Sequence, residues 1–190
     1  MYPNQSVYRN LLRKVQCHSS WDWGIALMVS GIYGSVSLRP VGDEAMKAVY
    51  GIPRRDGKHW NLPVHIEWDR PGAPVGSCDL PEGLPHAAVT AELRSPSGDV
   101  VTAWDSRRDS RKDGAAPRII GRGAFVVDLP VKDPDLWWPA GYGGQPLYTV
   151  TVSFRDGDGT VTDEASFRTA FRTVEVVNEK DETGRSLFFR

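Results

Sequence analysis

A strict alternation of apolar and polar residues constrains the fold of this chain more than any other sequence feature. The run LYTVTVSF, residues 147–154, places an apolar residue at every second position. The runs PVHIEWD (63–69), AVTAELR (88–94) and GAFVVDL (123–129) follow the same rule. A period of two is typical of an antiparallel strand that buries one face. The pattern therefore predicts an all-β protein.

Turn sequences separate these runs. SPSGD (95–99) and RDGDG (155–159) predict tight hairpin connections. Only DEAMKAVYG (43–51) has helical periodicity. Regularly spaced strands with polar turns over roughly 100 residues are typical of an immunoglobulin-like β-sandwich, which we predict for residues 60–178.

The flanking segments do not extend this sandwich. Residues 1–50 contain three apolar runs, VYRNLLRKVQCH, IALMVS and SVSLRP, which are too few strands to close a core of their own. We therefore expect residues 1–50 to be the remnant of another β domain and residues 51–59, GIPRRDGKH, to be a linker. Residues 179–190 begin a connection to a further domain, so the chain is expected to be part of a longer protein.

Composition excludes several classes of function. The formal net charge of −1 gives no electrostatic reason to bind nucleic acid or an anionic membrane. No apolar run approaches membrane-spanning length, and the start MYPNQSVYRN lacks a secretory signal pattern. The two cysteines, Cys17 and Cys78, do not make a disulfide-stapled scaffold. We expect a soluble protein and predict a cytoplasmic location.

The sequence offers no catalytic residue, no metal site and no cofactor site. Its histidines lack metal-ligand spacing: they are His18, His59, His65 and His86. The run GYGG (141–144) lacks the strand-then-helix setting of a nucleotide loop. Glutamates fall beside turns or on polar strand faces, as solvated carboxylates do. The mixed charges of residues 106–118 predict a solvated, mobile loop.

Two aromatic clusters are the candidates for binding. In SSWDWG, Trp21 and Trp23 flank Asp22. Indole faces stack on the apolar side of a sugar and a carboxylate accepts its hydroxyls, but the three residues could equally form a turn packed over a core. In DLWWPAGYGG, Trp137 and Trp138 could be a sugar-stacking platform or a structural plug against a neighbouring domain. We expect exposed apolar surface there and at residues 187–189, and hence self-association.

Three blocks carry a family resemblance. RKVQCHSSWDWG (13–24, followed by GIY), DLWWPAGYGGQPLYTVTVSF (135–154) and AFRTVEVVNEKDETGRSLFF (170–189) occur in this order. They resemble the β-mannosidase branch of the family 2 glycoside hydrolases, over roughly residues 13–190. Ser19 and Ser20, and Ala170 where glycine is usual, depart from the family pattern.

The resemblance implies a domain order and an activity. A galactose-binding-like jelly roll would end within residues 1–50, the sandwich would follow, and a (β/α)₈ barrel bearing two catalytic glutamates would lie beyond this chain. The activity implied is retaining hydrolysis of terminal β-D-mannose, with Trp21, Asp22 and Trp23 contacting the β-mannoside substrate. A barrel needs about 250 residues, so we expect this chain alone to be inactive. A stand-alone carbohydrate-binding or adhesion module and a family 2 enzyme for another sugar are the alternatives.

Overall fold

The computed structural model describes residues 11, 13, 15, 18, 31–38, 40, 42–71, 82–180 and 182–189. The chain forms two compact units, Met1–Arg39 and Pro40–Arg190. In the first unit, residues 31–38 form neither helix nor strand, so the strand expected at SVSLRP is not present in its described part. None of the helices in the described part of the chain is long and apolar enough to cross a membrane.

The second unit is built almost entirely of strands. In chain order they are β1 (Ala45–Gly51), β2 (Arg54–Asp56), β3 (His59–Asp69), β4 (Ala88–Arg94), β5 (Val100–Asp105), β6 (Arg118–Gly121), β7 (Ala124–Val131), β8 (Tyr148–Arg155), β9 (Val161–Thr169), β10 (Val176–Lys180) and β11 (Ser186–Phe189). A single short helix, α1 (Ser106–Asp109), follows β5 within the described residues.

Nine of these strands form two antiparallel sheets. One sheet has the order β1-β3-β7-β6, with β2 also paired to β3, and the other has the order β5-β4-β8-β9. This is the strand arrangement of an immunoglobulin-like sandwich, with β5 as an added edge strand. The predicted all-β sandwich is therefore confirmed. Strands β10 and β11 form a separate two-stranded hairpin.

The core lies between the two sheets and follows the predicted alternation. In the first sheet Val64 pairs with Val127 and Ile66 with Phe125, and all four are fully buried. In the second sheet Leu93 pairs with Val150, and both are fully buried. Each pairing puts two apolar side chains on the same inner face, so every pleat adds a layer to one shared core.

Phe171 closes one end of this core. Its side chain is fully buried although it lies beyond the last sandwich strand. Its ring packs edge-on against Trp60, at 5.5 Å between ring centroids, and against Tyr148, at 4.9 Å. Because Trp60 belongs to β3 and Tyr148 to β8, this one ring joins the two sheets.

Strand β1 differs from the sequence-based expectation. The helical periodicity of residues 43–51 does not produce a helix, and β1 pairs with β3 inside the range assigned to the remnant and linker. The cause is distant in sequence: the backbone N–H of Met46 donates to the buried carboxylate of Asp163, at 2.8 Å. Tertiary hydrogen bonding and burial override the weak local preference for a helix. The sandwich thus begins at Ala45, and β2 also lies within the expected linker.

Strand β1 runs beside β9 in the same direction. Met46 near its start binds Asp163, while a Cβ on Gly51 at its end would lie 3.5 Å from the ring of Phe167. The same hypothetical Cβ would lie 2.6 Å from the carbonyl oxygen of Pro63. Glycine is therefore the residue that allows this close approach of β1 to β3.

The segment 106–118 has mostly exposed charged side chains, as expected, but it is organised around one buried carboxylate that the sequence did not predict. Asp109 is 6% exposed and accepts hydrogen bonds from Arg108 (Nη2, 2.7 Å), Lys112 (Nζ, 2.9 Å) and the backbone N–H of Asp105 (3.0 Å). The Trp104 indole N–H donates to the carbonyl of Ala115, at 2.8 Å. Hydrogen bonding from Arg108, and then from Lys112, holds the pKa of Asp109 well below its usual range.

We predict that Asp109→Asn lowers the free energy of unfolding by about 1–3 kcal/mol near neutral pH, because two charge-assisted hydrogen bonds lose their anion. The folded-state pKa of Asp109 is depressed, so its contribution is complete above the unfolded pKa of about 4 and is lost as pH falls below it. Urea unfolding should therefore show the two proteins converging in stability in acid. Asp113→Asn, an exposed change in the same segment, is the control; a pH-independent gap for Asp109→Asn would contradict the account.

We also predict that Phe171→Ala lowers the free energy of unfolding by about 3–5 kcal/mol, because it opens a cavity between the two sheets. The matched control is Val174→Ala, three residues further on, whose side chain is 65% exposed and whose loss should change stability by less than about 0.5 kcal/mol. Equal effects of the two changes in urea unfolding would show that Phe171 does not close the core.

Candidate functional site: an aromatic loop at one end of the sandwich

The residues singled out for substrate binding, Trp21, Asp22 and Trp23, lie outside the described residues. Cys17 and Cys78 lie outside them as well. Their predicted roles therefore stay predictions.

Glutamates of the sandwich have structural partners. The clearest case is Glu44, whose carboxylate accepts from the backbone N–H groups of His86 and Ala87 at 2.9 and 2.8 Å. Glu92 pairs with Arg94 at 2.6 Å, and Glu164 accepts from Ser153 Oγ at 2.8 Å. Two further glutamates are also engaged: Glu67 with Tyr50, and Glu82 with Arg122. Glu44, with its side chain only 10% exposed, has the clearest structural role among them.

The described residues contain no cluster of three or more His, Cys, Asp or Glu side chains that could hold a metal ion.

Residues 135–147, between β7 and β8, form the other candidate, which we call the aromatic loop. Three contacts fix its base. The backbone N–H of Asp135 donates to Tyr148 Oη at 2.9 Å, Trp137 N–H donates to the carbonyl of Phe171 at 2.9 Å, and Leu136 forms a parallel bridge with Phe171. The buried Phe171 thus anchors the loop to the core.

Two backbone hydrogen bonds and two glycines fold the loop on itself. Trp138 N–H donates to the carbonyl of Gly144 at 2.9 Å, and Tyr142 N–H donates to that of Pro139 at 3.0 Å. Gly141 has φ +87°, and a Cβ on Gly143 would lie 2.7 Å from Trp138 Cδ1. Backbone therefore covers one part of the indole directly, which fixes the ring orientation while Trp138 stays 49% exposed.

Residues 171–175, which we call the exit segment, lead from β9 to β10 alongside this loop. The guanidinium of Arg172 lies 4.9 Å from the centre of the Trp137 ring. This cation–π contact holds a positive charge at the side of the loop.

The loop and the exit segment enclose a half-open groove of about 590 Å³. It is lined by Leu136, Trp137, Trp138, Pro139, Tyr142, Arg172, Thr173 and Val174. A neighbouring groove shares Trp137, Arg172 and Val174 and adds Ile52, Leu147 and Arg168. Of the two tryptophans predicted to be exposed, Trp138 is exposed and Trp137 is only half-buried, while Tyr142 (82%) and Ile52 (77%) extend the exposed surface. The side chains of residues 187–189 lie outside what the structure describes.

The groove has the chemistry of a binding surface. Neither groove has an acidic side chain in its lining, so neither offers the carboxylate pair that glycoside hydrolysis uses. Aromatic rings with an arginine beside them are the residues that contribute most to binding energy at protein interfaces. The surface can therefore bind by burying apolar area and by donating hydrogen bonds from guanidinium groups.

The sequence pointed to Trp137 and Trp138 but missed Arg172 and Tyr142 as parts of one surface. No local pattern could have found Arg172, because it lies 35 positions after Trp137 and reaches it only through the bridge between Leu136 and Phe171. Ala170, where the family pattern has glycine, shows no backbone strain because its φ is not positive. Asp133 is the one non-glycine residue with positive φ in the described part of the chain.

Two family models match this chain. The model for glycosyl hydrolases family 2 matches residues 82–172, and the model for a glycosyl hydrolase 2 galactose-binding domain-like segment matches residues 1–34.

Relatives match nearly the whole chain. Beta-mannosidase B from Emericella nidulans is 28% identical over 98% of this chain and 20% of its own length. Beta-mannosidase B from Aspergillus clavatus is 32% identical over 98% of this chain and 19% of its own length. A solved structure of b-glucuronidase from Ruminococcus gnavus superposes with a TM-score of 0.47 at 17% identity, covering 77% of this chain and 18% of its own. The chain thus spans about one fifth of the length of the curated relatives it matches, and it belongs to glycosyl hydrolase family 2 as a β-mannosidase-like member.

Proposed function

We propose that this chain serves a β-mannosidase, an enzyme for retaining hydrolysis of terminal non-reducing β-D-mannose, by supplying the substrate loop and a spacer domain. The observation that carries the proposal is the match to relatives named beta-mannosidase along 98% of the chain. No cofactor is needed for this hydrolysis, and a cytoplasmic location is part of the proposal.

The chemistry of retaining hydrolysis indicates which domain of the enzyme carries the catalytic residues. A retaining glycosidase needs two carboxylates about 5–5.5 Å apart, one as nucleophile and one as acid and base. The glutamates of the sandwich with the best-defined positions already bind backbone or cations, as Glu44 and Glu92 do. We therefore place the catalytic pair in a barrel domain outside these 190 residues, and the chain alone is inactive.

In the whole enzyme the sandwich acts as a rigid spacer. Its core is continuous from Phe171 at one end to the paired strands of both sheets, which suits it to hold one domain at a fixed distance from another. Asp22 between Trp21 and Trp23 is proposed to recognise the mannose, because a carboxylate accepts two hydroxyl hydrogen bonds and an indole covers the apolar face of the ring.

A stand-alone carbohydrate-binding or adhesion module is the second candidate. The observation in its favour is the exposed pair Trp138 and Tyr142 beside Arg172, since flat rings next to a hydrogen-bond donor can bind a pyranose. The wide aliphatic margin of the same surface, with Ile52 and Val174 exposed, fits a protein partner better than a sugar.

We predict that the purified 190-residue chain does not hydrolyse an aryl β-mannoside above the buffer blank, because the catalytic carboxylate pair is proposed to lie in the barrel domain. Release of the aryl group is followed by absorbance, with a relative's full-length β-mannosidase as the positive control. The proposal would be contradicted by turnover that disappears in Glu44→Gln or Glu92→Gln but persists in Glu175→Gln.

Glycan binding separates the two candidates. The isolated chain should bind β-mannooligosaccharides negligibly in isothermal titration, since the proposed recognition loop lacks its catalytic partner. Saturable binding that is lost in Trp138→Ala and unchanged in Ile120→Ala, an exposed residue on β6, would favour the stand-alone module.

We further predict that an antibody against residues 60–178 detects, in the source cells, a polypeptide several times heavier than 21.1 kDa. The reason is that the matched relatives are about five times longer than the stretch they share with this chain. A single band at 21.1 kDa would contradict the spacer role, because no barrel would be joined to the sandwich.

A further inference from the structure

Two arginine side chains at the grooves beside the aromatic loop have no carboxylate partner among the described residues. Arg168 and Arg172 line the grooves, and neither forms an ion pair among the described residues. The Arg172 guanidinium instead stacks on the Trp137 ring, at 4.9 Å from its centre. An acidic element from outside the groove would therefore complete this surface.

Such an acidic element lies immediately beside the groove on the same chain. Glu175 ends the exit segment and Glu179 lies in β10. Both side chains are exposed, and neither has an ion-pair partner in the described part of the chain. Glu175 and Arg172 are three residues apart, yet no ion pair joins them, so the charges that would neutralise the groove are not used within one copy.

The exit segment and the start of β10 also carry exposed apolar side chains. Val174 is 65% exposed and Val176 at the start of β10 is 58% exposed. In the groove, Trp138 and Tyr142 are 49% and 82% exposed. Apolar residues rimmed by charges in this way mark a protein-binding surface.

We propose that the occupant is a second copy of this chain, in a two-fold dimer. Val174 and Glu175 of each copy's exit segment, together with Val176 at the start of β10, lie in the groove of the other copy against Trp138 and Arg172. Because the donor segment and the acceptor groove are neighbours on one surface, a two-fold axis satisfies both at once, as an isologous interface requires. The inference concerns the 190-residue chain itself and does not depend on the mannosidase reaction.

The charge arrangement permits a sharp test. One variant, Arg168→Glu with Arg172→Glu, makes both groove and exit segment acidic. The other, Glu175→Arg with Glu179→Arg, makes both basic. Each variant repels its own copies, whereas a mixture restores both contacts, since the acidic groove meets the basic segment and the reverse.

The wild-type chain should show a reversible, concentration-dependent doubling of its 21.1 kDa mass in sedimentation equilibrium. Each charge variant should raise the dissociation constant at least about tenfold, and their equimolar mixture should recover dimers. Trp138→Ala should weaken the dimer similarly. Two controls should leave it unchanged: Asp113→Arg, which alters net charge as each of the two substitutions in the basic variant does, and Ile120→Ala, an exposed apolar truncation elsewhere.

Three outcomes would overturn the proposal. One is a monomer at every concentration. Another is a dimer whose dissociation constant is unchanged by Trp138→Ala and by the charge variants, which would place the interface elsewhere. The third is a monomer whose tryptophan fluorescence changes saturably with mannooligosaccharide and is insensitive in Trp138→Ala, which would make the groove a glycan platform.

Discussion

The edge-on packing of Phe171 against Trp60 and Tyr148 is the contact on which the rest of the structure depends. Its ring closes the core between the sheets, and its backbone carbonyl accepts from Trp137 N–H and so fixes the aromatic loop. The next residue, Arg172, is then set over Trp137. One buried side chain therefore determines both the closure of the sandwich and the shape of the exposed groove, so the stability of the fold and the geometry of its surface cannot vary independently.

The sheets could be predicted from sequence because a half-buried strand shows alternating apolar and polar residues within its own short run. Ile66, Phe125 and Val150 lie at alternating positions in their runs, and all are buried as expected. Strand β1 could not be predicted this way, because its conformation depends on Asp163, 117 residues further along the chain. The same holds for the segment around Asp109. Its sequence predicts solvated charges, and only the folded structure shows that the Asp109 carboxylate is buried and accepts a hydrogen bond from Arg108.

The candidate surface was predictable only in part, for a similar reason. Adjacent tryptophans, Pro139 and several glycines identify a rigid aromatic loop from composition alone. The groove needs a second wall, and the exit segment that supplies it is brought there by the bridge of Leu136 to Phe171. Arg168 and Glu175 have no ion-pair partner among the described residues, and this becomes informative only once the structure places Arg168 in the lining of the neighbouring groove and Glu175 beside it.

The parallel course of β1 and β9 has a mechanical consequence. The sandwich is entered at Ala45 and left after Thr169, at opposite ends of two strands that lie side by side over roughly 20 Å. A pull on both ends of the sandwich loads the Met46–Asp163 hydrogen bond in shear, along the strand direction. The connection between the two ends of the sandwich therefore depends on how β1 is held against β9 and on its pairing with β3.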